Sequence, residues 1–284
     1  MRPITAVIAC SALCVSSFIS CDRTTEGPVG PRPVIGAGSV QLSRPIVTDS
    51  TYVKDAGTLH NQGLAYLRAH YDFQKNYSGN SEQAKYLLSA ISSYFQSARG
   101  WDSAYCNTVR MQDSLASTLA ATYPPGNGGM WNAMKLQAPS AILSNDEIAL
   151  IDNAMAVFSL PADGMSSTEI ANRIIARADS SITILSSSAW SHGLTEAAGG
   201  FLYVMRGSAA YWQSHPVSTA ENPNPSGFAQ IVQADAAGYL IGWLMAVADE
   251  YDATGHIDPN NQGRRINRGL SMAIGWSFGG LLRG

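Results

Sequence analysis

The residues whose types and spacing could do chemistry are few. His192 and Glu196 stand four apart on a predicted helix. A zinc peptidase helix needs His-Glu-x-x-His, with two imidazoles on one face and the Glu as base. No second His occupies that frame. His60-Asn61 could serve a hydrolase only beside a nucleophile, and the sequence marks none. It contains no Gly-x-Ser-x-Gly elbow, no P-loop and no dinucleotide fingerprint. Glu250-Tyr251-Asp252-Ala253-Thr254-Gly255-His256-Ile257-Asp258-Pro259-Asn260-Asn261 partly matches a calcium loop. Glu250, Asp252, Thr254 and Asp258 fall on ligand positions and Gly255 on the turn glycine, but Asn261 replaces the bidentate Glu. The segment reads instead as a solvated turn. Cys106 has no second thiol or His/Cys cluster near it in sequence, and reads as a small buried hydrophobe. No catalytic, cofactor-binding or metal-ligating residue is assigned.

The elements that would position such residues are helical. Val53, Ala56, Leu59/His60, Gly63/Leu64, Leu67 and Tyr71 recur every three or four residues and predict one amphipathic helix. A second starts at Ser81, with Ala84, Leu87/Leu88, Ile91 and Tyr94/Phe95 facing inward. A third spans about 102–122 and is stopped by Pro124-Pro125-Gly126. Ser144-Asn145-Asp146-Glu147 and Ser166-Ser167-Thr168-Glu169 are capping boxes, in which Ser accepts from the N3 amide and Glu reaches back to the Ser amide. Each precedes an apolar run, and a further helix covers about 189–213, where Gly199-Gly200 marks close packing or a bend. Two-residue alternation is absent. The fold class predicted is all-α, a multi-helix bundle over residues 51–284.

The last 60 residues carry two strongly apolar segments, Gly227–Asp249 and Gly263–Leu282. Gly238 and Gly242 stand four apart in the first, Gly275 and Gly279 in the second, with Gly269 and Ala273 nearby. Small residues at this spacing let two helix backbones approach closely. An antiparallel hairpin over 227–284 with a Gly/Ala seam follows. Asp235 interrupts the first segment, and neither segment supplies about 20 uninterrupted apolar residues for a membrane span. The hairpin is therefore expected in the core; membrane insertion is the competing reading. The twelve Tyr and six Trp could also build a binding surface, although most are expected in a helical core.

Composition excludes some partners. The net charge is −3, and Arg264, Arg265 and Arg268 form the only dense basic group. Nucleic-acid binding needs several phosphate-neutralising charges on one face, so it is set aside. Only 14% of residues are charged, against about 25% in ordinary soluble domains. Four Pro and four Gly in residues 22–50 oppose helix and sheet and predict a flexible tether.

The chain opens Met1-Arg2-Pro3, and Ile4–Ile19 is uncharged and mostly apolar or small. That is the pattern of a secretory signal peptide over residues 1–20. Phe18-Ile19-Ser20-Cys21 resembles the lipobox of bacterial lipoprotein precursors, departing from it in having Phe18 where Leu is usual. The resemblance implies lipid attachment at Cys21, by a diacylglyceryl thioether and acylation such as palmitoylation of the freed amine. Val7-Ile8-Ala9-Cys10 has too few apolar residues before it, and Leu13 is too bulky before Cys14. Processing would leave Cys106 as the sole free thiol. Gly57-Thr58-Leu59-His60-Asn61 and Ala234-Asp235-Ala236-Ala237-Gly238 are similar to features of uncharacterised bacterial envelope proteins that have a Gly-x-x-His-Asn helix and a terminal Gly-rich hairpin. That similarity covers the two ends of the domain and implies no activity.

The expectation is a lipoprotein tethered to a membrane of the bacterial cell envelope, on its periplasmic or surface side. Its helical domain would bind an envelope protein or act structurally, without cofactor. The competing readings are a membrane-active, toxin-like protein working through the hairpin, and an envelope hydrolase with a site assembled from distant residues.

Overall fold

The computed structural model describes residues 50–70, 80–99, 131, 143–187, 196–215 and 225–281. These residues are 89% helical and contain seven α-helices and no strand. The helices are α1 (Ser50–His70), α2 (Asn80–Arg99), α3 (Asn145–Met155), α4 (Ser167–Ser186), α5 (Glu196–Ser214), α6 (Pro225–Thr254) and α7 (Gln262–Leu281). Short 3-10 turns follow α3 and precede α7. The all-α expectation holds. The expected helix at 102–122, its Pro-Gly stop, the leader, Cys21, the tether before Ser50, Cys106 and His192 lie outside the described residues.

Both capping boxes form. Ser144 accepts from the Glu147 amide at 3.2 Å, and Glu147 Oε2 accepts from the Ser144 amide at 2.8 Å. Ser166 and Glu169 repeat the arrangement at the head of α4. Each box satisfies amides that a helix start leaves unpaired. On α1 the predicted stripe is buried at Val53, Ala56, His60, Leu64 and Leu67, and on α2 at Leu87, Ile91, Tyr94 and Phe95.

α5 lies at the centre, packed against α1, α3, α4, α6 and α7. It runs parallel to α1, because Gly57 meets Tyr203, Asn61 meets Gly207 and Arg68 meets His215. A Cβ at Gly57 would stand 2.3 Å from the Tyr203 carbonyl oxygen, and one at Gly207 would stand 2.9 Å from the Gly57 Cα. Only glycine permits that crossing. Gly199-Gly200 does not break α5. Gly200 makes room for the Tyr239 ring, whose hydroxyl would lie 2.0 Å from a Cβ there.

α6 and α7 form the predicted antiparallel hairpin. α6 is apolar on nearly every side, as a helix surrounded by neighbours should be. Of its most apolar window, 88% is buried inside the protein. The seam consists of Gly238 and Gly242 against Arg268, Met272 and Ala273. A Cβ on Gly242 would lie 2.4 Å from the Arg268 carbonyl oxygen. Gly269 receives the Tyr239 ring. The predicted place of Gly275 in this seam is corrected. It faces Ile91 of α2 instead, because residues 268/269 and 272/273 define the stripe and 275 falls off that face. The packing of Gly279 lies outside the described residues.

The solvated-turn reading of Glu250–Asn261 is corrected at its start. α6 continues to Thr254 and ends at Gly255, whose φ of +72° suits the left-handed residue after a helix. Glu250 therefore sits on the helix and faces inward, 6% exposed. No calcium loop can begin there.

Candidate functional site

Among the described residues, two polar centres lie inside the bundle, one at the tip of the α6–α7 hairpin and one along its body. The first is built on Arg265, the largest fully buried side chain among the described residues. α7 places it opposite the first residue of α5 and the last turns of α6. Its Nε and Nη2 donate to Glu196 Oε2 and Oε1 at 2.7 and 2.6 Å, a bidentate fork. Its Nη1 donates to Glu250 Oε2 at 2.7 Å and to the Asp258 carbonyl at 2.9 Å. Trp243 Nε1 donates to Glu196 Oε2 at 2.9 Å, and the Tyr239 hydroxyl donates to the Glu196 carbonyl at 3.0 Å. Glu250 Oε1 accepts from the Asp258 amide and from Asn261, which fixes the turn onto α6.

Electrostatics follow from this geometry. Burial opposes ionisation of Glu250, but donors from Asn261, the Asp258 amide and Arg265 outweigh it and hold the carboxyl below its ordinary range. Burial likewise opposes the Arg265 charge, and the two carboxylates overcome it. Burial, reinforced by Glu196, drives the Tyr239 phenol well above its usual value. Each Glu carboxylate and three guanidinium nitrogens are thus engaged inside the protein.

The second centre is built on Asp235, wholly buried in α6. Its Oδ2 accepts from Ser208 Oγ of α5 at 2.6 Å and from Trp212 Nε1 at 3.4 Å. Its Oδ1 accepts from Ser277 Oγ of α7. His60 Nε2 of α1 stands 3.5 Å from Oδ2. His60 Nδ1 lies 3.2 Å from Asn61 Oδ1, while Asn61 Nδ2 donates to the Gly207 carbonyl at 3.0 Å. The Gly57–Gly207 crossing sets this up by bringing the α1 backbone against α5. Burial pushes Asp235 up to about 7, against the pull of its three donors. Burial lowers His60 to about 4, against the Asn61 contact.

The chemistry open to these centres is limited by sealing and by order. His60, Ser208, Asp235 and Ser277 are each 0% exposed. Both serines donate to the carboxylate, and neither contacts the imidazole. A hydrolytic triad needs the opposite order, with His between nucleophile and acid. Among the described residues no group of three or more His, Cys, Asp or Glu could hold a metal ion.

Two exposed histidines fold back in the same way onto the last turns of α1 and α5. His70 Nδ1 donates to the Tyr66 carbonyl at 2.7 Å, and His215 Nδ1 donates to the Tyr211 carbonyl at 3.1 Å. Each imidazole stacks on the Tyr one turn before it, with ring centroids 4.0 and 4.5 Å apart. Each ring nitrogen adds a second donor to a carbonyl in the last turn of its helix; the Tyr211 carbonyl also accepts from the His215 amide at 2.9 Å.

No protein-family model, curated protein or solved structure matches the chain.

Of the residues singled out from sequence, Glu196 and His60 are both polar-core residues, in different centres. Glu196 pairs with Arg265. The three C-terminal arginines do not form a basic patch: Arg265 is internal, Arg268 is buried with Asp249 at 3.2 Å, and Arg264 is exposed. Sequence reading missed Ser208, Trp212, Ser277 and Arg265. The available signal was the charge itself: Asp235 and Arg265, set in runs of apolar and small residues, require buried partners.

Proposed function

We propose that the chain is a lipid-anchored protein of the bacterial cell envelope whose helical domain is a rigid binding or structural body. The anchor rests on Phe18-Ile19-Ser20-Cys21 placed directly after the apolar leader. Two or more acyl chains hold a protein to a membrane durably, at about 0.8 kcal/mol per buried methylene. The single observation that favours a non-catalytic domain is that Glu196, Glu250, Arg265, His60 and Asp235 are bound to one another, or to neighbouring side chains, in the sealed core. A hydrolase built on His60 would need that imidazole and a serine to meet substrate. A membrane-active hairpin would need to surrender the α6 surface that α5 and α7 cover.

Metabolic labelling with an alkyne fatty acid tests the anchor in cells producing the full chain. The wild type should be labelled and sediment with membranes. Cys21→Ser should lose the label and enter the soluble fraction. A labelled, membrane-bound Cys21→Ser protein would overturn the assignment and direct attention to Cys10 or Cys14.

A further inference from the structure

The geometry around Asp235 fixes a proton count. Asn61 Nδ2 donates to the Gly207 carbonyl, so Asn61 Oδ1 is the atom facing His60. That oxygen can only accept, which makes His60 Nδ1 the protonated ring nitrogen. In the neutral imidazole the Nε2 lone pair then points toward Asp235 Oδ2, 3.5 Å away, and among the described residues Nε2 makes no hydrogen bond. An unprotonated Nε2 facing a carboxylate, both wholly buried, would place two lone pairs against each other. One proton between them removes the conflict, whether it resides on oxygen or on nitrogen.

We propose that His60 and Asp235 act as a one-proton compensating pair, which carries a single shared proton in the folded core and shields the domain's stability from mild acid. The surroundings permit this. The pair is faced from α5 by Ser208 and Trp212 and from α7 by Ser277, none of which changes charge in this range. On α1 and α6 the titratable groups that meet here are His60 and Asp235. No other charged side chain among the described residues contacts the pair.

Taken singly, the two groups tie stability to pH with opposite signs. Asp235 alone, raised to about 7 from 3.8, would contribute stability that is complete below pH 3.8 and lost as pH rises toward 7. His60 alone, lowered to about 4 from 6.5, would do the reverse: its contribution is complete above pH 6.5 and lost as pH falls toward 4. Between about pH 4 and 6.5 the unfolded pair also holds one proton, on His60. Folding then relocates the proton without net uptake, and the two dependences cancel.

Urea unfolding of the full chain between pH 4.5 and 6.5 tests the proposal. Relative to wild type, the folding constant of Asp235→Asn should fall about tenfold per pH unit as pH drops. That of His60→Gln should fall about tenfold per pH unit as pH rises. The double variant should run parallel to wild type. Either single variant running parallel to wild type would overturn the proposal. Nitrogen NMR of the wild type needs no variant to fold. The buried imidazole should keep Nδ1 protonated and show no titration across this range. A buried ring that titrates near 6.5, or one protonated on Nε2 alone, would contradict it.

Discussion

The two buried centres meet the same requirement in different ways. Around Arg265 the cation is permanent: a guanidinium that never deprotonates is held between two carboxylates, with Trp243, Tyr239, Asn261 and the Asp258 backbone filling the remaining sites. Around Asp235 there is no permanent cation. One carboxyl, one imidazole and two hydroxyls meet from four helices, and the balance depends on a proton. The first centre ties the tip of the hairpin to the start of α5. The second ties the body of the hairpin to α1 and α5. A helical bundle can thus seal polar groups either by matching charge to charge or by sharing hydrogen. Between pH 4.5 and 6.5 the intact second centre stays balanced only while both of its titrating members are present.

Breaking the first centre should have the largest effect. Arg265→Met strands two carboxylates in the core, and removing one partner of a buried ion pair costs about 3–5 kcal/mol. Chemical denaturation near pH 7 should show that loss, with partial recovery as pH falls and the stranded carboxyls become neutral. Next comes the contact that holds both centres on one hairpin. Gly242→Ala forces a methyl toward the Arg268 carbonyl oxygen, and overpacking of this kind costs about 1–3 kcal/mol. Its denaturation midpoint should drop without a change in pH slope, because no titrating group is altered.

Ser208→Ala sharpens the second centre. It removes the 2.6 Å donor to Asp235, and losing such a bond leaves a cost of about 1–3 kcal/mol. The loss should be greater at pH 8 than at pH 5, since the hydroxyl favours the charged carboxyl. Ser166→Ala touches neither centre. It removes one capping box from an exposed helix start, and should cost about 1 kcal/mol at every pH near neutrality.

The contrast also explains what could be read in advance. Helix starts at Ser144 and Ser166 are local events, complete within four residues, and were legible. So were the stripes of α1 and α2 and the existence of a glycine seam. The centres were not, because their members meet only through tertiary packing: Arg265 and Glu196 are 69 residues apart, and Asn61 and Gly207 are 146 apart. Gly57 gave a hint in its spacing from His60, but nothing in sequence pairs it with Gly207. Gly275 shows the opposite failure. Its spacing from Gly279 matched a seam motif, yet the helix turns it toward Ile91. Glu250 was assigned to solvent because the residues around it are polar. Its partner lies on the next helix, and that contact decides its direction.

Hydrogen exchange followed by mass spectrometry on the intact protein tests the central claim, that the α6–α7 hairpin belongs to the core of the domain. Backbone amides from 231 to 247 should be among the slowest to exchange, opening only with the unfolding that also releases α5. If those amides exchange quickly while α1 and α5 stay protected, the hairpin is a separable element and the account of both buried centres fails.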